Sequence, residues 1–366
     1  MDNRGGVAPT DASIAIPAPR GPASEALVAA LAAPTTDRLG TVDVPRGDAL
    51  SDGDLHLSLY LCYELHYRGL PGVDPAMEWD PGVLSFRARL ERAFEEALRA
   101  NVPVDPAPAG SIPSLLRSIA RGGDGALSRY LERKADLAQM REFLIHRSAY
   151  HLKEADPHSF AIPRLTGAAK AALVEIQADE YGGGDAAWMH AALFARTLTA
   201  VGLDATYGAS IDRIPGWTLA TVNLMSLFGL HRRLRGALVG HLAAFEMTST
   251  LPNRRYGNGL RRLGFGPDAT LFFDEHVEAD AVHEAIAADD LAGSLVADEP
   301  ELSADVLFGA KALGLLEGIA SARTLGAWTA GKSSLLPAPA TTVPPGTTNP
   351  APIGPDPIKK EASRVA

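Results

Sequence analysis

Between Pro81 and Ala100 the chain places Phe86, Leu90, Phe94 and Leu98 four residues apart. At about 100° per residue this draws one apolar stripe down the side of a helix. Helical patterns of this kind recur along the chain, with no internal repeat and no series of alternating strands. A composition that is 46% hydrophobic but only 6% aromatic, rich in Ala and Leu, favours the same choice. Proline and glycine punctuate the patterns. They predict helices over about 55–69 (capped by Asp52 or Asp54), 81–100, 111–121 and 127–155, the last ended by Pro157. A helix over 167–181 is broken by Gly182, Gly183 and Gly184, and Asp185 is the expected N-cap of the next. Further helices are expected over about 217–230, 232–249, 268–289 and 302–328. Pro252 is expected to stop the 232–249 helix and leave 254–259 as a loop. The fold class is therefore all-α, with nine to ten helices.

Residues 1–50 and 331–366 are rich in Pro, Ala, Gly or Thr and are expected to form tails without a fold of their own. Residues 51–330 then form a single domain, with 51–125 as accessory helices and 126–330 as the core. A net charge of −10 argues against a general nucleic-acid surface, and no run of 18 apolar residues suggests a membrane span. The first residues lack the apolar segment of a signal peptide, so a cytoplasmic location is expected. The single cysteine, Cys62, excludes an intrachain disulfide and reads as a core thiol.

The chemistry concentrates in FFDEHVEADAVHEAIAADD. There His276, Asp280 and His283 stand at i, i+4 and i+7, within roughly 60° of one helical face. Two imidazoles and a carboxylate aimed at one place suit a transition metal, although a solvated face would carry the same residues. Glu180 ends one helix and His190 opens the next, ten residues later, with the glycines letting the chain turn between them. Taken singly, Glu180 also reads as an exposed acid beside Asp179, and His190 as a core histidine beside Trp188. Glu246 interrupts an apolar, small-residue stretch, where burial needs a partner or an ion. Glu154 closes the 127–155 helix, with His151 and His158 as competing candidates. Together Glu154, Glu180, Glu246 and Asp280 offset the +4 charge of two ferrous ions, and His190, His276 and His283 complete the shells. Such ligation points to iron or manganese rather than to zinc. Arg254 and Arg255 could clamp a substrate carboxylate from their loop, and the segment 66–79 could cover the site.

With Lys153-Glu154-Ala155-Asp156-Pro157-His158, Glu180 ten residues before His190, Glu246 in AAFEMTS and His276-x3-Asp280-x2-His283, the chain resembles the iron-containing redox enzymes of haem-oxygenase-like fold. The resemblance covers 140–325 well and 55–100 more loosely. It implies a haem-oxygenase-like helical bundle with additional N-terminal helices and two Fe(II) per chain. One ion takes Glu154, Glu180 and His190 with His283, and the other shares a bridging carboxylate and takes His276, Asp280 and Glu246. It also implies O2 as co-substrate and N-oxygenation, desaturation or carbon–carbon cleavage of an amino acid, amine or fatty acid, in a chain that could form a homodimer. The competing readings are a haem-binding protein and a non-catalytic helical interaction protein on the same scaffold.

Overall fold

Residues 16–33 and 35–338 are described by the computed structural model, except for the side chains of Asp280 and Ala281. The helices are α1 Pro22–Ala32, α2 Gly53–Glu64, α3 Pro81–Asn101, α4 Ile112–Ala120, α5 Ala126–Arg133, α6 Leu137–His151 and α7 Asp156–Ser159. After these come α8 Gly167–Glu180, α9 His190–Ala200, α10 Gly216–Leu230, α11 Arg235–Arg262, α12 Pro267–Ala285, α13 Ser294–Asp298 and α14 Ser303–Thr329. Among the described residues there is no strand, and no helix is long and apolar enough to cross a membrane.

Local chemistry sets most of these boundaries. Asp80 accepts from the amides of Gly82 and Val83, and Pro81 occupies the first helical position of α3, where its missing N–H costs nothing. All four residues of the α3 stripe are buried. Asp52 caps α2 through the Leu55 amide. Asp54 works elsewhere: it accepts from the amides of Ala23 and Ser24 and so caps α1 from outside.

Four expectations need correction. First, the predicted N-terminal tail is part of the fold from residue 16 onward: Ala23, Leu27, Ala30 and Leu31 of α1 are buried. At the other end Ser334 is buried and bonds Glu142 and His146, while residues 1–15 and 339–366 lie outside those described. Secondly, the expected 127–155 helix is two helices, α5 and α6, and a turn. Asp136 and Gln139 form a reciprocal capping box that starts α6 afresh, and α6 ends at His151 ahead of a non-helical turn. Thirdly, Asp185 does not cap α9. Gly182 and Gly183 take φ of 69° and 60°, the chain loops back, and His190 itself opens the helix. Methyl-bearing residues fit poorly at 182, where an added Cβ would lie 2.6 Å from the Met189 amide nitrogen.

The fourth correction has the largest consequence. Pro252 lies inside α11, which runs on to Arg262 and absorbs the predicted loop. Proline removes one N–H, the partner of the Thr248 carbonyl, but α11 packs along both α12 and α14 for most of its length. Helical burial on that scale outweighs one lost hydrogen bond. Against α14 the helix axes come very close: a Cβ added to Gly240 would stand 1.8 Å from the Val306 carbonyl oxygen, and one added to Gly309 1.9 Å from that of Ala237.

Two apolar clusters result. The larger gathers α1–α4, α8, α10, α11 and α14. The smaller holds Phe143 and Leu144 of α6, Leu193 and Phe194 of α9, Tyr256 and Leu260 of α11, and Phe272 and Phe273 of α12. Elements of both clusters carry the acids and histidines of interest: Glu180 on α8 of the larger, His190 on α9 and His276 on α12 of the smaller.

Candidate metal centre

α11 and α12 form an antiparallel hairpin joined by residues 263–266. Glu246 lies 16 residues before the last residue of α11, and His283 lies 16 residues after the first of α12. Equal distances from the turn, about 24 Å at 1.5 Å per residue, bring the two side chains level. The Tyr256–Phe273 ring contact, 5.7 Å between centroids, follows the same register. α8 delivers Glu180 at its last residue, the glycine loop returns His190, and the turn after α6 supplies Glu154.

The outcome is two buried groups of ligand atoms. Glu154, Glu180, His190 and His276 form one, and Glu180, Glu246 and His283 form the other. Within each group all atoms lie within 4.8 Å of one another. The six residues are between 1 and 8% exposed. Glu180 belongs to both groups. The histidines are partitioned the other way round from the expectation: His276, not His283, joins Glu154 and His190, and His283 joins Glu246. His151 and His158 stay out of both groups, leaving Glu154 as the residue supplied by its turn. Asp280 stands on α12 between the two histidines, and its side chain lies outside the described residues.

Hydrogen bonds fix which nitrogen of each ring faces inward. His276 Nδ1 donates to the Phe272 carbonyl at 2.7 Å, which turns Nε2 toward Glu154. His283 Nε2 donates to Asp179 at 3.0 Å, which leaves Nδ1 facing Glu246 at 3.4 Å. His151 Nδ1 donates to Glu154 Oε1 at 2.7 Å. Histidines anchored by one nitrogen and presented by the other are the usual form of an imidazole ligand. His190 Nδ1 sits 2.8 Å from a Glu180 oxygen without the alignment of a hydrogen bond. Nor do His283 Nδ1 and Glu154 Oε2 have a hydrogen-bond partner among the described residues. Polar atoms this deeply buried are normally bonded. Here they converge on shared points, so the donor set fits metal ions.

The electrostatics agree. Burial alone would raise Glu154, but His151 and His276 hold it well below the usual carboxylate range. Burial likewise opposes charge on His283, yet the carboxylate of Glu246 close to Nδ1, helped by Asp179 at Nε2, raises it to about 9. His190 is raised too, Glu180 outweighing the cost of burial. Without an ion, the neighbouring carboxylates favour the protonated forms of His190 and His283. An ion entering the pocket must displace those protons.

A small cavity opens on this centre, lined by Tyr150, His158, Gln177, Leu242, Phe245 and Ser249 as well as by Glu180, Glu246 and His276. It has room for about one water-sized molecule. Phe245 lines it, whereas Trp188 is 47% exposed. Neither Arg254 nor Arg255 reaches it. The continuous α11 puts them eight and nine residues beyond Glu246, about 12 Å along the axis. Arg254 is exposed, and Arg255 bonds Ser128 at 3.1 Å. The segment 66–79 is tied down by His66, which bonds Glu78 and Arg87.

Sequence reasoning missed Asp179, whose signal was its place beside Glu180. It also missed the buried pair His158–His241, 3.1 Å apart, and the ion pair Lys153–Glu64. Burial pushes His158 down to about 4 and His241 well below its ordinary value, so burial disfavours charge on both rings.

An all-α scaffold here encloses a buried carboxylate–imidazole pocket whose donors suit metal ions. Residues 141–318, which contain every residue of both groups, match the family model described as iron-containing redox enzyme. No curated protein matches the chain.

Proposed function

We propose that the protein is a nonhaem diiron oxidase or oxygenase that uses O2 on a small molecule such as an amino acid, amine or fatty acid. N-oxygenation, desaturation and oxidative carbon–carbon cleavage are the outcomes this reading covers. The observation that carries it is Glu180, a single buried carboxylate common to two groups of ligand atoms. Glu154, His190 and His276 would hold one ion. Glu246 and His283 would hold the other, together with Asp280, which its register on α12 sets between the two histidines. Glu180 would bridge. Ferrous ions held there would supply the electrons that O2 reduction requires.

The chain's own residues prepare that chemistry. The Phe272 carbonyl and Asp179 keep a proton on the outer nitrogen of His276 and of His283, so the inner nitrogen of each is the one that would face an ion. Tyr150, Leu242 and Phe245 wall the cavity and leave room for little water, which strengthens the charge interactions within it. Three buried carboxylates beside a slot this small suit a haem group poorly.

The test is anaerobic Fe(II) titration, with two ions per chain expected. Exposure of the loaded protein to O2 and a panel of amino acids, amines and fatty acids, followed by mass spectrometry, then searches for the product. Failure to take up iron would defeat the reading.

A further inference from the structure

Glu154 is not carried by a helix. It sits in the turn 152–155 between α6 and α7, and its neighbour Ala155, at φ 73°, is the only described non-glycine residue with positive φ. An alanine persists there only if its surroundings impose the shape. Those surroundings come largely from the end of α2. Lys153, 1% exposed, points away from the metal pocket and pairs with Glu64. Its Nζ lies 4.2 Å from the Tyr67 ring centroid and 4.9 Å from that of Tyr60. The second Glu64 oxygen accepts from the Tyr207 hydroxyl at 2.5 Å. Arg68, one turn after Glu64, donates to the Leu152 carbonyl at 3.1 Å and lies 4.1 Å over the Tyr207 ring. From the other side Gln177 donates to the Ala155 carbonyl at 2.8 Å.

We propose that Glu64, Arg68, Lys153 and Tyr207 form a clamp that holds the 152–155 turn in the shape presenting Glu154, making α2 part of the metal centre's support. The proposal rests on the diiron reading above and adds positioning residues to it. Glu64 and Arg68 lie outside residues 141–318, so the family-matched segment does not contain all of its own scaffold. A buried ion pair is a poor source of stability compared with apolar residues of similar volume. What it supplies instead is direction, because both Glu64 oxygens and the Lys153 ammonium have fixed partners.

The test uses the full chain and two variants. Glu64→Gln combined with Lys153→Met removes the ion pair without stranding a charge and keeps a partner for Tyr207. Arg68→Ala removes an exposed residue and leaves the core intact. In the metal-free protein, amide hydrogen exchange over 152–156 should quicken in both variants while α8 and α11 keep wild-type rates. In anaerobic Fe(II) titration one of the two ions should weaken, by about 10- to 100-fold in the double variant, the range for losing a residue that orients a ligand. At iron concentrations that just saturate the wild type, the double variant should hold one ion per chain. Wild-type exchange and affinity in both variants would overturn the clamp and leave the diiron reading standing. Equal loss of both ions with a lowered melting temperature would also overturn it, since that marks general destabilisation. A wild type that binds no iron would overturn both readings.

Discussion

Asp179→Asn gives the sharpest test of how the second ion site works. Asp179 is not in either ligand group, but it holds His283 Nε2 at 3.0 Å and helps to raise that imidazole to about 9. An ion can bind His283 Nδ1 only after the proton there has left. At pH 7, deprotonating a group whose pKa is about 9 costs ~2.7 kcal/mol, or about 100-fold in affinity. Apparent affinity at this site should therefore rise about tenfold per pH unit from 7 and level off near 9. In Asp179→Asn the amide oxygen still accepts from Nε2, but the charge is gone, so the plateau should begin at lower pH. The assay is anaerobic titration with Fe(II), and with redox-stable Mn(II), at half-unit steps from pH 6.5 to 9.5. Affinity flat across that window, or one inflection shared by both proteins, would refute the assignment of the proton to His283. The metal-free protein should show the same linkage in its stability. A raised folded-state pKa makes the His283 contribution full below about 6.5 and lost as pH climbs through about 9.

Two further outcomes follow from the geometry. Glu180→Ala should abolish uptake of both ions, because Glu180 stands in both groups, whereas His283→Ala should spare the ion held by Glu154, His190 and His276. Metal analysis after anaerobic loading separates zero from one per chain, and circular dichroism checks that both variants stay helical. Gly240→Ala forces a methyl to within 1.8 Å of the Val306 carbonyl oxygen, so α11 and α14 must part. Destabilisation of about 1–3 kcal/mol or more is expected, read as a fall in chemical denaturation midpoint; an unchanged midpoint would show that the two helices are not locked at this crossing.

Legibility differed from residue to residue. His276 and His283 could be placed on one helical face because helical periodicity is local arithmetic. Glu180 and His190 could be brought together because three consecutive glycines leave a helix little reason to continue. Glu246 stood out as a charge in an apolar stretch. The division of the histidines failed, and its cause is traceable. Reading Pro252 as a stop hid the α11–α12 hairpin, and with it the equal spacing from the turn that sets Glu246 level with His283. The same misreading made a loop of Arg254 and Arg255 and suggested a clamp on substrate that a straight helix carries out of reach.

Short-range preference therefore decided what the chain alone could decide: an all-α architecture, most helix boundaries, and the set of acids and imidazoles able to bind metal. These depend on side-chain periodicity, caps and breakers that act within a few residues. Tertiary packing decided the rest. It carried α11 through its proline and folded α1 into the core. It also chose which histidine meets which carboxylate and set Lys153 against Glu64. Each of these is a contest between a small local cost and extensive burial against helices distant in sequence, and that burial exists only once the helices have met.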